Sequence, residues 1–140
     1  MTAPTRVLEL DACVNFRDLG GYSTVDGRRV RWRRVFRSDT LHRLERGSAE
    51  RLEAELGIRT AIDLRAYDEI ERAGIGHLGD VDVTYVHLPK DLAAAPAHAM
   101  EGLLVGLRDR YGSVDACAEA MGVDAAARSS LRESLLEPGT

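Results

Sequence analysis

The chain has 140 residues, enough for one ordinary domain and too few for two. Hydrophobic residues make up 44% and charged ones 30%, a globular balance rather than a disordered one, and no apolar run is long enough to span a membrane. A net charge of −4 gives no general reason to expect nucleic acid, and an aromatic content of 5% leaves the core to Leu, Val, Ile and Ala.

The opening Met1-Thr2-Ala3-Pro4-Thr5-Arg6 carries no apolar signal region, which points to a cytoplasmic protein. Residues 7–10 read as a short strand leading into Asn15-Phe16-Arg17-Asp18-Leu19-Gly20-Gly21-Tyr22, a loop whose two glycines permit a tight turn. Such a loop can surround an anion, because backbone N–H groups and the Arg17 guanidinium point the same way. The plainer reading is a surface turn with an Arg17–Asp18 pair. Asp26-Gly27 signals a hairpin turn. After it, Val30, Trp32, Val35 and Phe36 predict strand structure with arginines on the other face. The basic run of Arg28, Arg29, Arg31, Arg33, Arg34 and Arg37 reads as a solvated strand face, since acids elsewhere outweigh it.

Ser48 is placed to cap a helix over residues 49–56, with Leu52 and Leu56 on one face and Gly57 at the end. Residues 60–64 (Thr-Ala-Ile-Asp-Leu) predict a short buried strand, and Tyr67 to Arg72 begin another helix. Residues 81–88 alternate apolar and polar until Pro89 stops them. Helix and strand in alternation predict an α/β architecture, a parallel sheet flanked by helices. The composition changes at Asp91. Residues 1–90 form an α/β part, residues 91–99 an Ala-rich linker, and residues 100–140 helices near 100–110, 114–121 and 124–136. Leu103, Leu104 and Leu107 give the first an apolar stripe, and Asp124 suits the cap of the last.

Four runs in this order carry a resemblance: residues 15–22 above, Asp26-Gly27-Arg28-Arg29-Val30-Arg31-Trp32, Val35-Phe36-Arg37-Ser38-Asp39-Thr40-Leu41, and Leu56-Gly57-Ile58-Arg59-Thr60-Ala61-Ile62-Asp63-Leu64-Arg65. Together they resemble the amino-terminal half of a bacterial, dual-specificity type of tyrosine phosphatase family. Its members also act on phosphoserine or phosphoinositides and include secreted enzymes. Residues 110–117 and 121–124 resemble the family's carboxy-terminal helices. A small residue, often Gly, is common there near Arg33, and an aromatic residue is usual where Cys117 stands. The resemblance implies that Asp63 ends a strand facing the phosphate site, where it would assist proton transfer or position the loop. Capping, or pairing with Arg65, is the competing role for Asp63. Arg17 and Asp18 would buttress the site rim, and Arg37 and Asp39 would pair within the scaffold. The implied ligand is a phosphorylated protein or a phosphoinositide, with no cofactor.

The family's chemistry needs a cysteine thiolate in a His-Cys-x5-Arg loop, whose fixed spacing curls backbone N–H groups and an Arg around the phosphate. No such run is present: six residues after Cys13 stands Leu19, and six after Cys117 stands Val123. The chain therefore reads as a relative with an internal deletion between Pro89 and the later helices, which took the nucleophile strand, the phosphate loop and the next helix. No catalytic residue is assigned. Three readings follow: an inactive phosphatase relative, a non-catalytic binding module, or an unstable product of a damaged gene. Loss of a central strand would leave an exposed sheet edge through which copies can associate. Asp80-Val81-Asp82-Val83-Thr84 fits an aspartate-nucleophile pattern by chance, because the apolar strand runs after its first Asp. His42, His77, His87 and His98 show no metal-ligand spacing, the two cysteines read as buried apolar residues, and no nucleotide-binding motif occurs.

Overall fold

The computed structural model describes residues 4–88 and 97–139. Residues 91–96 of the predicted linker and the strand stop at Pro89 lie outside them. The chain divides into two compact units, residues 1–90 with 135–140, and residues 91–134.

In the first unit, β1 (Arg17–Asp18) pairs antiparallel with β3 (Phe36–Arg37), with Arg17 opposite Arg37 and Asp18 opposite Phe36. The predicted strand at residues 7–10 runs irregularly beside β1. Val7 bridges Arg17, and the Leu8 N–H donates to the Phe16 carbonyl at 3.0 Å. The Asp26-Gly27 turn forms, with the Thr24 N–H donating to the Arg28 carbonyl at 2.9 Å. The strand expected through Trp32 is interrupted instead. β2 (Arg29–Val30) ends before a turn in which Arg33 adopts the left-handed region at φ +60°. β2 pairs antiparallel with β6 (Leu136–Glu137), a strand that no local pattern announced.

α1 (Arg46–Ala54) starts earlier than Ser48 predicts. Glu45 is the cap residue, and the Asp11 carboxylate, 34 positions upstream, accepts the Glu45 N–H at 2.9 Å. Ser48 lies buried within the first turn. The carboxyl end follows the expectation: Gly57 takes φ +68°, and the Ile58 N–H returns to the Leu52 carbonyl. β4 (Thr60–Asp63) and β5 (Thr84–His87) form a parallel pair joined by α2 (Tyr67–Ala73) and a 3-10 turn at Gly76–Asp80. The fold is thus α/β, with small sheets that include one parallel pair.

Leu10, Phe16, Leu44, Leu52, Ala61, Leu78 and Val83 form the core, and Leu52 is fully buried. The expected burial of this strand is corrected. Ala61 faces the core, but Ile62 is 61% exposed and Leu64 and Leu88 are also exposed. Among the described residues β4 and β5 pair only with each other, and exposed Ile62 marks a face of the pair that meets water.

The second unit contains α3 (Ala97–Tyr111), α4 (Val114–Ala120) and most of α5 (Ala125–Leu135). Ser113 caps α4 by accepting the Ala116 N–H at 3.0 Å, and Asp124 caps α5 by accepting the Ala127 N–H at 2.7 Å. Arg132 reaches Asp115 at 2.6 Å. Among the described residues no helix is long and apolar enough to cross a membrane.

Candidate functional site

The glycine loop is organised by Asp18, which is 3% exposed. Its Oδ1 accepts the Gly20 N–H and its Oδ2 the Arg33 N–H, each at 2.7 Å. Trp32 lies against both glycines: a β-carbon at Gly20 would stand 2.5 Å from Trp32 Cα, and one at Gly21 2.7 Å from the indole ring. Gly21 also takes φ +77°, so only glycine fits there. The N–H groups of Asp18, Leu19, Gly20 and Gly21 go to the Arg6 carbonyl, the Val35 carbonyl, the Asp18 carboxylate and the Val30 carbonyl. That corrects the anion-cradle expectation, because all four donors are committed internally.

The expected ion pairs in this region are corrected as well. Arg17 Nη1 donates to the Asn15 carbonyl at 3.0 Å rather than to Asp18. Among the described residues no ion pair joins Arg37 to Asp39. The Asp39 Oδ1 instead accepts the Val14 N–H at 2.8 Å and the Cys13 thiol at 3.3 Å. Burial, and then the Asp39 carboxylate, push the Cys13 thiol up to about 11.

The second locus lies at the carboxyl ends of the parallel strands, where Asp63 and His87 stand opposite each other. Ligands of open α/β sheets characteristically bind outside such ends. Arg65 forms a forked pair with Asp63, Nε and Nη2 reaching Oδ2 at 2.9 and 2.7 Å, and both side chains are 13% exposed. Tyr85 Oη donates to the same Oδ2 at 2.8 Å, and the Arg65 N–H donates to Oδ1 at 2.9 Å. Burial works to raise the Asp63 carboxyl. The hydrogen bonds from the Arg65 side chain, the Arg65 backbone and Tyr85 outweigh it and hold Asp63 at about 2. Burial, followed by the Asp63 carboxylate, raises the Tyr85 phenol.

Arg65 extends the network. Its Nη2 donates to the Gly74 carbonyl at 2.9 Å, and its Nη1 to His42 Nδ1 at 3.0 Å. Thr40 Oγ1 bonds to the same imidazole nitrogen. Arginine has no acceptor to offer, so His42 Nδ1 accepts here and the ring N–H is that of Nε2. Gly76 lets this corner close, since a β-carbon there would run into the His42 carbonyl. His87 Nε2 donates to the Arg65 carbonyl at 2.9 Å, and Tyr67 packs edge-on against the His87 ring. Thr40, His42, Arg65, Glu69, Arg72 and Ala73 line a shallow cleft of about 250 Å³ beside the network.

Chemically, Asp63 is a permanent carboxylate near neutral pH whose oxygens are taken up by Arg65 and Tyr85. It orients neighbours and holds no proton to give. Arg65 commits four of its five N–H donors to Asp63, His42 and Gly74. Sequence reasoning singled out both residues but missed Thr40, His42, Tyr85 and His87. The only available signal was that Tyr85 and His87 sit at alternate positions of a predicted strand. Among the described residues no cluster of His, Cys, Asp and Glu has the makings of a metal site.

The family model described as the tyrosine phosphatase family matches residues 8–95. No curated protein matches the chain.

Proposed function

Because the chain belongs to the tyrosine phosphatase family, we propose that it is a phosphatase-type scaffold that engages a phosphorylated ligand without hydrolysing it. The observation that carries this reading is the spacing around the two cysteines. Neither is followed at the sixth position by arginine, so no thiolate is set in a phosphate-holding loop. The site chemistry agrees. A thiol at about 11 is only about one part in ten thousand thiolate at pH 7. Cys117 is buried in α4. Asp63, held as a carboxylate, offers no proton to a leaving group. With the nucleophile and its cradle both missing, the remaining shell has no covalent step to support. On this reading the deletion junction falls within residues 91–99, between the α/β part and the later helices.

The test is hydrolysis of a generic aryl phosphate by the purified chain, beside a Cys13→Ser, Cys117→Ser double variant. Neither protein should release product above the blank. Turnover that disappears in the double variant would overturn the proposal. A cooperative thermal melt of the same preparation separates this reading from an unstable by-product, which would melt without a sharp transition.

A further inference from the structure

The charge on the outer face of the β1–β3 pair is unusual for a chain whose net charge is negative. Arg17 and Arg37 stand directly opposite each other in the antiparallel register, so their side chains leave the same face. The other face belongs to the core: Phe16 is 2% exposed, Asp18 is buried, and the Phe16 and Phe36 rings stack at 5.5 Å. Arg37 is therefore exposed and Arg17 half-buried on the solvent side.

Like charges directly across a strand pair repel, and a neighbouring carboxylate normally offsets them. None does here. Residues 14–40 hold seven arginines against three aspartates. Asp18 is turned onto the Gly20 and Arg33 N–H groups, Asp26 pairs with Arg28, and Asp39 accepts the Val14 N–H and the Cys13 thiol. Among the described residues neither Arg17 nor Arg37 forms an ion pair. The Arg17 bond to the Asn15 carbonyl occupies one of its guanidinium N–H donors. Two guanidinium groups carried at facing strand positions can converge on one tetrahedral oxyanion, and a dianion between them would turn their repulsion into attraction.

We infer that Arg17 and Arg37 form a clamp for the dianion of a phosphate monoester on the outer face of the β1–β3 pair. This rests on the reading that the chain engages a phosphorylated ligand, and it places recognition away from Arg65, which commits four of its five N–H donors to Asp63, His42 and Gly74.

The test titrates the full chain with inorganic phosphate and with O-phosphotyrosine at low ionic strength, by calorimetry and by thermal shift. Wild type should bind both saturably and melt higher in their presence. Arg37→Gln should weaken binding about tenfold and abolish the ligand-induced rise. Its ligand-free melt should stay level or increase, because one of two repelling charges is gone; a merely structural arginine would lower it. Arg34→Gln, an exposed arginine outside the pair, should bind like wild type. Arg17→Gln should repeat the Arg37→Gln result, and if it fails to fold the Arg37 variant carries the test alone.

The clamp is refuted if Arg37→Gln binds within about twofold of wild type, if Arg34→Gln loses as much as Arg37→Gln, or if wild type fails to saturate. Phosphotyrosine binding that survives in Arg37→Gln sinks the clamp and leaves the ligand-engaging reading standing. Cysteine-dependent turnover sinks that reading's claim of inactivity without touching the clamp titration.

Discussion

Replacing Asp63 by Asn tests the network at the strand ends most directly. The change keeps the side chain's shape and removes its charge and one acceptor. Arg65 then loses its forked partner, and Tyr85 and Arg65 compete for one carbonyl oxygen. With a folded value of about 2 against an ordinary 3.8, the carboxylate contributes roughly 2.4 kcal/mol in full. The pair sits near the surface, and solvent screening brings the contribution to about 2 kcal/mol. The direction with pH follows. The folded value is depressed, so this stability is fully present above about pH 4 and is lost as pH falls through about 2. Urea denaturation at pH 7 should therefore show Asp63→Asn less stable by about 2 kcal/mol, with the gap closing between about pH 4 and pH 2. Equal stability at pH 7, or a gap unchanged down to pH 2.5 (an estimate of the practical limit), would refute the reasoning that this charge stabilises the fold.

Other perturbations probe the scaffold. Gly21→Ala should cost about 2 kcal/mol or more in chemical denaturation, because the new methyl meets the Trp32 ring and φ is +77°. Arg33→Gly should change stability by less than about 1 kcal/mol, since relief of the left-handed φ of +60° offsets loss of the Nη2 bond to the Glu55 carbonyl while the Asp18 contact to the backbone N–H is retained. Leu52→Ala should cost about 3 kcal/mol at a fully buried position, whereas Ile62→Thr, on a residue 61% exposed, should change stability by less than about 0.5 kcal/mol. Iodoacetamide labelling of Cys13, followed in a Cys117→Ser background, should be slow at neutral pH and rise about tenfold per pH unit toward pH 10. A plateau near pH 8 would contradict the raised thiol.

Much of the local architecture is legible in the residues themselves. Gly57 closes α1, Asp124 opens α5, and Asp26-Gly27 turns the chain, because each depends on backbone geometry that near neighbours dictate. Arg33 is instructive for the opposite reason. The resemblance expects a small residue, often Gly, near Arg33, and the backbone of Arg33 takes the left-handed region that favours glycine. The Ser48 cap misled because a better acceptor, Asp11, arrives from far along the chain and takes the N–H one turn earlier. β6 escaped because a two-residue strand has no period of its own and exists only through its partner β2.

The sequence by itself determined family, fold class and the absence of a cysteine in phosphatase spacing, since each is written in residue order and type. Tertiary structure alone decided what the charged residues do. Order along the chain says that Arg17 is next to Asp18 and Arg37 near Asp39. Strand register instead sets Arg17 against Arg37, turns Asp18 inward onto backbone N–H groups and brings Tyr85 to the Asp63–Arg65 pair, while a turn outside the strands delivers His42 to Arg65. The reason is physical. A backbone turn depends on residues a few positions apart, whereas a charge interacts with whatever packing brings within a few ångströms, and packing is settled by the whole chain.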